Sequence, residues 1–150
     1  MTTANDVADY LISLAHERGE TVNNLKLQRL LYYAQAWHLG MFGTPLFPEK
    51  FEAWMTGPVI PALYWHFKPS GIRPIPAPAA VPDLPGSVCR FLVEIAEDYL
   101  PIDEYDLDEM STRDSPWRTA RVGLDRGDPS RNEISEEEMR AYFHALAASV

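Results

Sequence analysis

The sequence contains a single cysteine, Cys89, so no internal disulfide can staple it. It has no apolar run near the ~20 residues that a membrane-spanning helix requires. Nor does it open with a basic start and an unbroken apolar stretch; Asp6 and Asp9 interrupt the first hydrophobic pattern, so no secretion signal is expected and the cytoplasm is the expected compartment. Catalytic signatures are missing too: there is no GxSxG, no phosphate-binding glycine loop and no HExxH. The histidines His16, His38, His66 and His144 have no partner at i+4, so no metal site and no cofactor are expected.

Positive charge is scarce, and its scarcity is regional. The chain has 13 Lys and Arg against 22 Asp and Glu, for a net charge of −9. Residues 1–93 balance seven acids with seven bases, whereas residues 94–138 carry fifteen acids against five arginines. A duplex-binding surface needs a basic patch to displace counterions from phosphates, so direct nucleic-acid binding is not expected. An acidic face that keeps the protein soluble, or that meets a basic protein partner, is.

What is present is an ordinary globular composition, 46% hydrophobic over 150 residues, enough for one domain spanning 1–150. The densest segment is Asn24 to Gly40. Leu27, Leu30, Leu31, Ala34, His38 and Met41 fall on one helical face, and Tyr33, Ala36, Trp37 and Gly40 on a second, so apolar groups nearly encircle the helix. Such a helix belongs at the centre of a core. It is expected to start near Thr21 or Asn23 and to end near Gly40 or Gly43. An amphipathic helix built on Val7, Tyr10, Leu11 and Leu14 should precede it, capped by Thr3 with Asp6 and stopped by Gly19.

Beyond it, Thr44–Pro48 reads as a turn and Phe51–Met55 as a short strand broken by Gly57-Pro58, a turn that positions the next helix. That helix should cover Ala62–Phe67 with Pro61 in its first turn. Six prolines between Pro69 and Pro85 forbid helix there and predict an extended linker or lid. Val88, Phe91, Leu92, Ile95 and Tyr99 predict a fourth helix, with Cys89 as an inert buried thiol on it. Short helices should follow at Asp103–Ser111 and from Ser115-Pro116-Trp117. The last helix has a capping box in Ser135 and Glu138, a staple in Ile134 and Met139, and a stripe through Tyr142, Phe143 and Leu146. The expected fold is mainly α: a compact multi-helix domain with a Pro-rich loop at 69–85 and at most a minor pair of short strands.

The wording of the second helix is more specific than its periodicity. Leu25 to Trp37, including Leu27, Leu30, Leu31, Tyr32, Tyr33, Gln35 and Trp37, resembles the N-terminal motif of the Panacea-domain, SocA-like antitoxins, often phage-associated. Pro45-Leu46-Phe47, Glu52-Ala53-Trp54, Gly57-Pro58-Val59 with Pro61, Pro116-Trp117, Arg121, Asn132 and Tyr142-Phe143 follow in the family's order. One departure stands out: where the family carries a Thr-His pair before Pro-Trp, this chain reads Ser111-Thr112-Arg113-Asp114. The resemblance implies a bacterial or phage-encoded, non-enzymatic antitoxin that binds and neutralises a cognate protein toxin. Two further readings accompany it, an adaptor that delivers the bound toxin to a cytoplasmic protease and an enzyme that reverses the toxin's modification.

Trp37, Trp54 and Trp117 are expected in the core, and Gly57, Pro58 and Pro116 are expected to have structural roles. Trp65, beside His66 and Phe67 and next to the proline segment, is the tryptophan expected at an interface. On the acidic stretch, Glu104, Asp108, Glu109 and Asp114 are the candidates for meeting a basic toxin surface by charge complementarity.

Overall fold

The computed structural model describes residues 1–149 and is mainly α, with seven α-helices and one two-stranded antiparallel sheet among the described residues. Helix α1 (Ala4–Glu17) starts on a reciprocal box in which the Thr3 hydroxyl accepts from the Asp6 amide and the Asp6 carboxylate accepts from the Thr3 amide. Helix α2 (Asn24–Phe42) is capped by Asn23 and stopped by Gly43 in the left-handed conformation, φ 78°. A glycine is suited to that stop because it has no Cβ to clash there.

Helix α2 is the axis of the molecule. Leu27, Leu30, Leu31, Tyr32, Ala34 and Ala36 along it are fully buried. Helix α7 (Glu136–Ala148) crosses it at Gly40, whose missing side chain admits the Phe143 backbone; a Cβ there would lie 2.7 Å from the Phe143 Cβ. The expected apolar stripe does not run to the helix end, because Met41 is 53% exposed and His38 only half-buried. Likewise Leu146 on α7 lies at the surface, and Ser135 caps Glu138 without the return bond that would complete a box.

Gly57-Pro58 does not end a strand; it begins one. Strand β1 (Glu52–Trp54) pairs with β2 (Gly57–Val59) in a hairpin whose two-residue loop is Met55-Thr56. Proline is tolerated because Pro58 has an edge position with no ladder amide to supply. The segment 132–134 lies alongside, with the Ala53 amide donating to Asn132 O and the Ile134 amide to Phe51 O. Helix α3 (Pro61–Phe67) then leads through a single 3-10 turn, Lys68–Ser70, into the proline segment.

That segment is a strap rather than a loose lid. Ile75 is 4% exposed, its amide donates to Val22 O at 2.8 Å, and its carbonyl lies 3.1 Å from His16 Nε2. The middle of the proline run is thereby fixed over the α1–α2 junction. Helices α4 (Gly86–Tyr99), α5 (Glu104–Arg113) and α6 (Ser115–Ala120) complete the chain, and Cys89 on α4 is half-buried rather than sealed in the core.

Candidate partner-binding surface

The central helix carries polar residues that sequence periodicity disguises as core, and they define how the surface is built. Arg29 has a completely buried side chain. Its Nε donates to Asp108 Oδ1 at 2.8 Å, Nη1 to Pro58 O at 2.6 Å and Nη2 to Thr56 O at 2.6 Å. Burial lowers the guanidinium's pKa and Asp108 raises it; on the other side burial raises the Asp108 carboxyl and Arg29 holds it down. Gly57 closes the arrangement. At φ 136° it rests against the guanidinium so closely that a Cβ would lie 2.7 Å from Arg29 Cζ.

The same logic repeats along α2. Gln28 accepts from the Ile60 amide, Asn24 donates to Tyr64 O, and Gln35 both accepts from the Leu46 amide and donates to Phe47 O. From the other side Trp117 donates to Trp54 O at 2.9 Å. Arg121, 5% exposed and stacked on Trp117, donates to the carbonyls of Ala53, Asp125, Arg126 and Asp128. Buried side chains thus bind the main chain of residues 46–64 from two sides. Buried polar groups must be satisfied, and here they are satisfied by backbone.

Arg29, Gln28 and Asn24 escaped sequence reasoning as functional parts of the scaffold. One signal was available: of the two cations in α2, Lys26 lies in the first turn, whereas Arg29 sits deeper in a stretch that is apolar all round, where a cation has to be buried and a buried cation has to be paired.

A second buried cluster surrounds Asp114, 9% exposed, whose Oδ2 accepts from the Tyr32 hydroxyl at 3.3 Å. Tyr33 lies edge-on to Tyr32 with its hydroxyl buried and without a hydrogen-bond partner, and burial raises its phenol well above the ordinary value. Burial likewise pushes the Asp114 carboxyl up to about 6, against the downward pull of the tyrosine hydroxyls. The folded state therefore holds this proton more tightly than the unfolded chain does. Its contribution is fully present below the unfolded pKa and is lost as pH rises from about 4 to about 6. Over that window the loss is on the order of 2–3 kcal/mol. Urea titrations across it should show stability falling, and Asp114→Asn should flatten the slope; an unchanged slope in that variant would assign the effect elsewhere.

The expected partner-contacting residues separate in the structure. Trp65 is 63% exposed and His66 is exposed beside it. Phe67, by contrast, is buried at 8%. Asp108 and Asp114, expected on a solvated acidic face, are drawn inward, the first to neutralise Arg29 and the second into the tyrosine cluster. Glu104 is half-buried, and Glu109 reaches toward Arg113 and Arg126 at 3.6 and 3.9 Å. Among the motif residues, Tyr33, Gln35, Pro116 and Trp117 are buried with Gly57 and Pro58, whereas Trp37 and Trp54 are only half-buried.

Trp54 instead joins a surface aromatic row. Its ring lies 5.0 Å from Tyr64, which lies 5.3 Å from Trp65, with Met55 exposed on the adjoining hairpin loop. No group of residues able to hold a metal ion occurs among the described residues, and none of their helices is long and apolar enough to cross a membrane.

The architecture defines a mainly α scaffold in which one central helix grips the main chain of a hairpin and short helix and turns their aromatic side chains outward. Residues 27–118 match the family profile described as Antitoxin SocA-like, Panacea domain, and the chain belongs to that antitoxin family. The match begins at Leu27, just before the Arg29 clamp, and ends at Arg118, one residue beyond Trp117. Among curated proteins, Antitoxin SocA of Caulobacter vibrioides (strain NA1000 / CB15N) is 41% identical over 68 residues, which is 45% of this chain and 36% of that protein. The similarity thus spans little more than a third of the relative's length. No solved structure matches.

Proposed function

We propose that this protein is an antitoxin that acts in the cytoplasm by binding a cognate protein toxin directly and masking its active surface. Family membership supports the antitoxin role. The observation that carries direct binding is the row Trp54–Tyr64–Trp65, where a tryptophan 63% exposed ends a run of edge-to-face aromatic contacts at the surface. Tryptophan and tyrosine supply large, rigid contact area and dominate binding energies when a partner covers them. The acid-rich stretch from Glu94 to Glu138 favours a toxin with a basic surface, which electrostatic attraction would steer into contact.

Co-expression with the toxin encoded beside it tests the proposal: growth should be restored and the two proteins should co-purify. Neither rescue nor association would defeat the reading. Trp65→Ala should weaken the complex about 30-fold, a loss of about 2 kcal/mol, with unchanged helical circular dichroism. If the toxin's half-life also falls when this chain is present, binding serves delivery to a protease rather than a lasting complex.

A further inference from the structure

At the C-terminal end of α2 the fold leaves two large apolar side chains uncovered, Met41 at 53% and Phe42 at 57% exposure. They overhang a groove between α2 and α4. It consists of two adjoining pockets of about 190 Å³ each that share Phe91 as a lining residue. One is bounded by His38, Phe42 and Val88, the other by Trp37, Met41, Ile95 and Tyr99. Val88, Phe91, Ile95 and Tyr99 recur at helical spacing on α4, so the groove follows that helix for about 17 Å, or three turns.

The floor is held in place. Trp37 Nε1 donates to the Tyr99 hydroxyl at 2.6 Å, and the Phe91 ring lies 5.4 Å from His38 and 6.0 Å from Phe42. Met41 on the rim is unbranched and polarizable, a side chain that adapts to what it meets. The α4 lip has a definite charge: Glu94 and Asp98, both exposed, line the groove one turn apart. The one cation of α4, Arg90, stands a turn further back toward Ser87. An apolar floor three turns long beside an anionic lip has the dimensions and charge to receive an amphipathic helix with cations along one flank.

We propose that this groove receives a basic amphipathic α-helix of the toxin, its apolar side chains seated along α2 and α4 and its Lys or Arg residues facing Glu94 and Asp98. The proposal rests on the direct-binding reading and adds the chemistry of the bound element. The site lies at the other end of α2 from the Trp65 corner, a helix about 28 Å long.

The test uses the full chain and two fluorescein-labelled peptides of about four helical turns. Both carry leucines at i, i+4, i+7 and i+11; one has lysines on the flank and the other glutamates. Anisotropy should show the lysine peptide binding at least about tenfold more tightly than the glutamate peptide. Met41→Asp should weaken it about tenfold, and the double substitution Glu94→Lys with Asp98→Lys should reverse the preference. These positions are exposed, so circular dichroism should be unchanged. Failure of the lysine peptide to bind, or equal binding by all variants, would overturn the proposal. Self-association of the free chain that Met41→Asp abolishes would also overturn it, since the groove would then belong to a second copy.

Growth rescue separates the two claims. If the wild-type chain rescues cells from the toxin and the double variant rescues equally well, the groove proposal falls and the antitoxin reading stands. If the wild-type chain neither rescues nor associates, the antitoxin reading falls and the toxin-helix proposal with it.

Discussion

Arg29→Met is expected to lower the unfolding free energy by about 3–5 kcal/mol, the range for breaking a buried ion pair by removing one partner. The side chain is completely buried, and methionine can fill its volume, so packing is not the main loss. What is lost is partnering. Asp108 keeps a partly buried carboxylate with no cation, and the carbonyls of Thr56 and Pro58 lose their donors beneath the hairpin. Arg29→Lys should recover little, because one ammonium cannot reproduce the planar fork that reaches a carboxylate and two carbonyls at once. The double substitution Arg29→Met with Asp108→Leu separates the contributions. It removes the orphaned charge, so whatever destabilisation remains belongs to the two carbonyls. Urea unfolding monitored by circular dichroism reads all three variants, and a wild-type midpoint for Arg29→Met would show that the hairpin needs no support from Arg29.

Gly40→Ala sets two effects of opposite sign against each other, and magnitude decides between them. In an exposed helix interior the change would stabilise by roughly 1 kcal/mol through backbone entropy and propensity. Here the new Cβ would sit 2.7 Å from the Phe143 Cβ, 2.8 Å from the Phe143 carbonyl carbon and 2.9 Å from the His144 amide nitrogen. Two of these three atoms are backbone, so no rotamer change relieves the overlap. Helix α7 must retreat along its closest contact with α2, and Phe143 loses its fit among Tyr32, Tyr33 and Trp37. Overpacking of this kind costs about 1–3 kcal/mol, occasionally more, and a net loss of about 2 kcal/mol or greater is expected. Thermal unfolding gives the sign directly. A rise in Tm would mean that α7 does not lie against Gly40 as described.

Helical periodicity, caps and proline placement made most of the fold legible before any coordinates. Thr3 with Asp6, Asn23, Gly43 and the Pro116 start all sit where local chemistry predicts them. The hairpin was half legible: Phe51–Met55 reads as a strand, but Gly57-Pro58 reads as punctuation because local preferences do not register an arginine pressed against its backbone from another helix. The proline segment is legible in its path and not in its anchoring. Composition predicts its extended path, while the bond that makes it a strap, Ile75 to Val22, spans 53 residues.

The candidate surface was less legible than the fold. Exposure of Trp65 follows from its place on a short helix, but Asp108 and Asp114 look like ordinary acids of a charged stretch. Their burial depends on what other elements bring to them, Arg29 in one case and Tyr32 in the other, at separations of 79 and 82 residues. Charge counting sees none of this. It gives the sign of the C-terminal region and not which of its carboxylates remain free to meet a partner.

The clamps along α2 have a consequence for how such a protein can change. Asn24, Arg29 and Gln35 donate to carbonyls of Tyr64, Pro58, Thr56 and Phe47, and every residue type offers the same carbonyl. The scaffold therefore constrains the path of this segment but places almost no demand on which side chains it displays outward. Met55, Thr56, Trp65 and His66 can be exchanged without disturbing what holds them in place. The outer face of this segment can therefore change one residue at a time while its frame stays as it is.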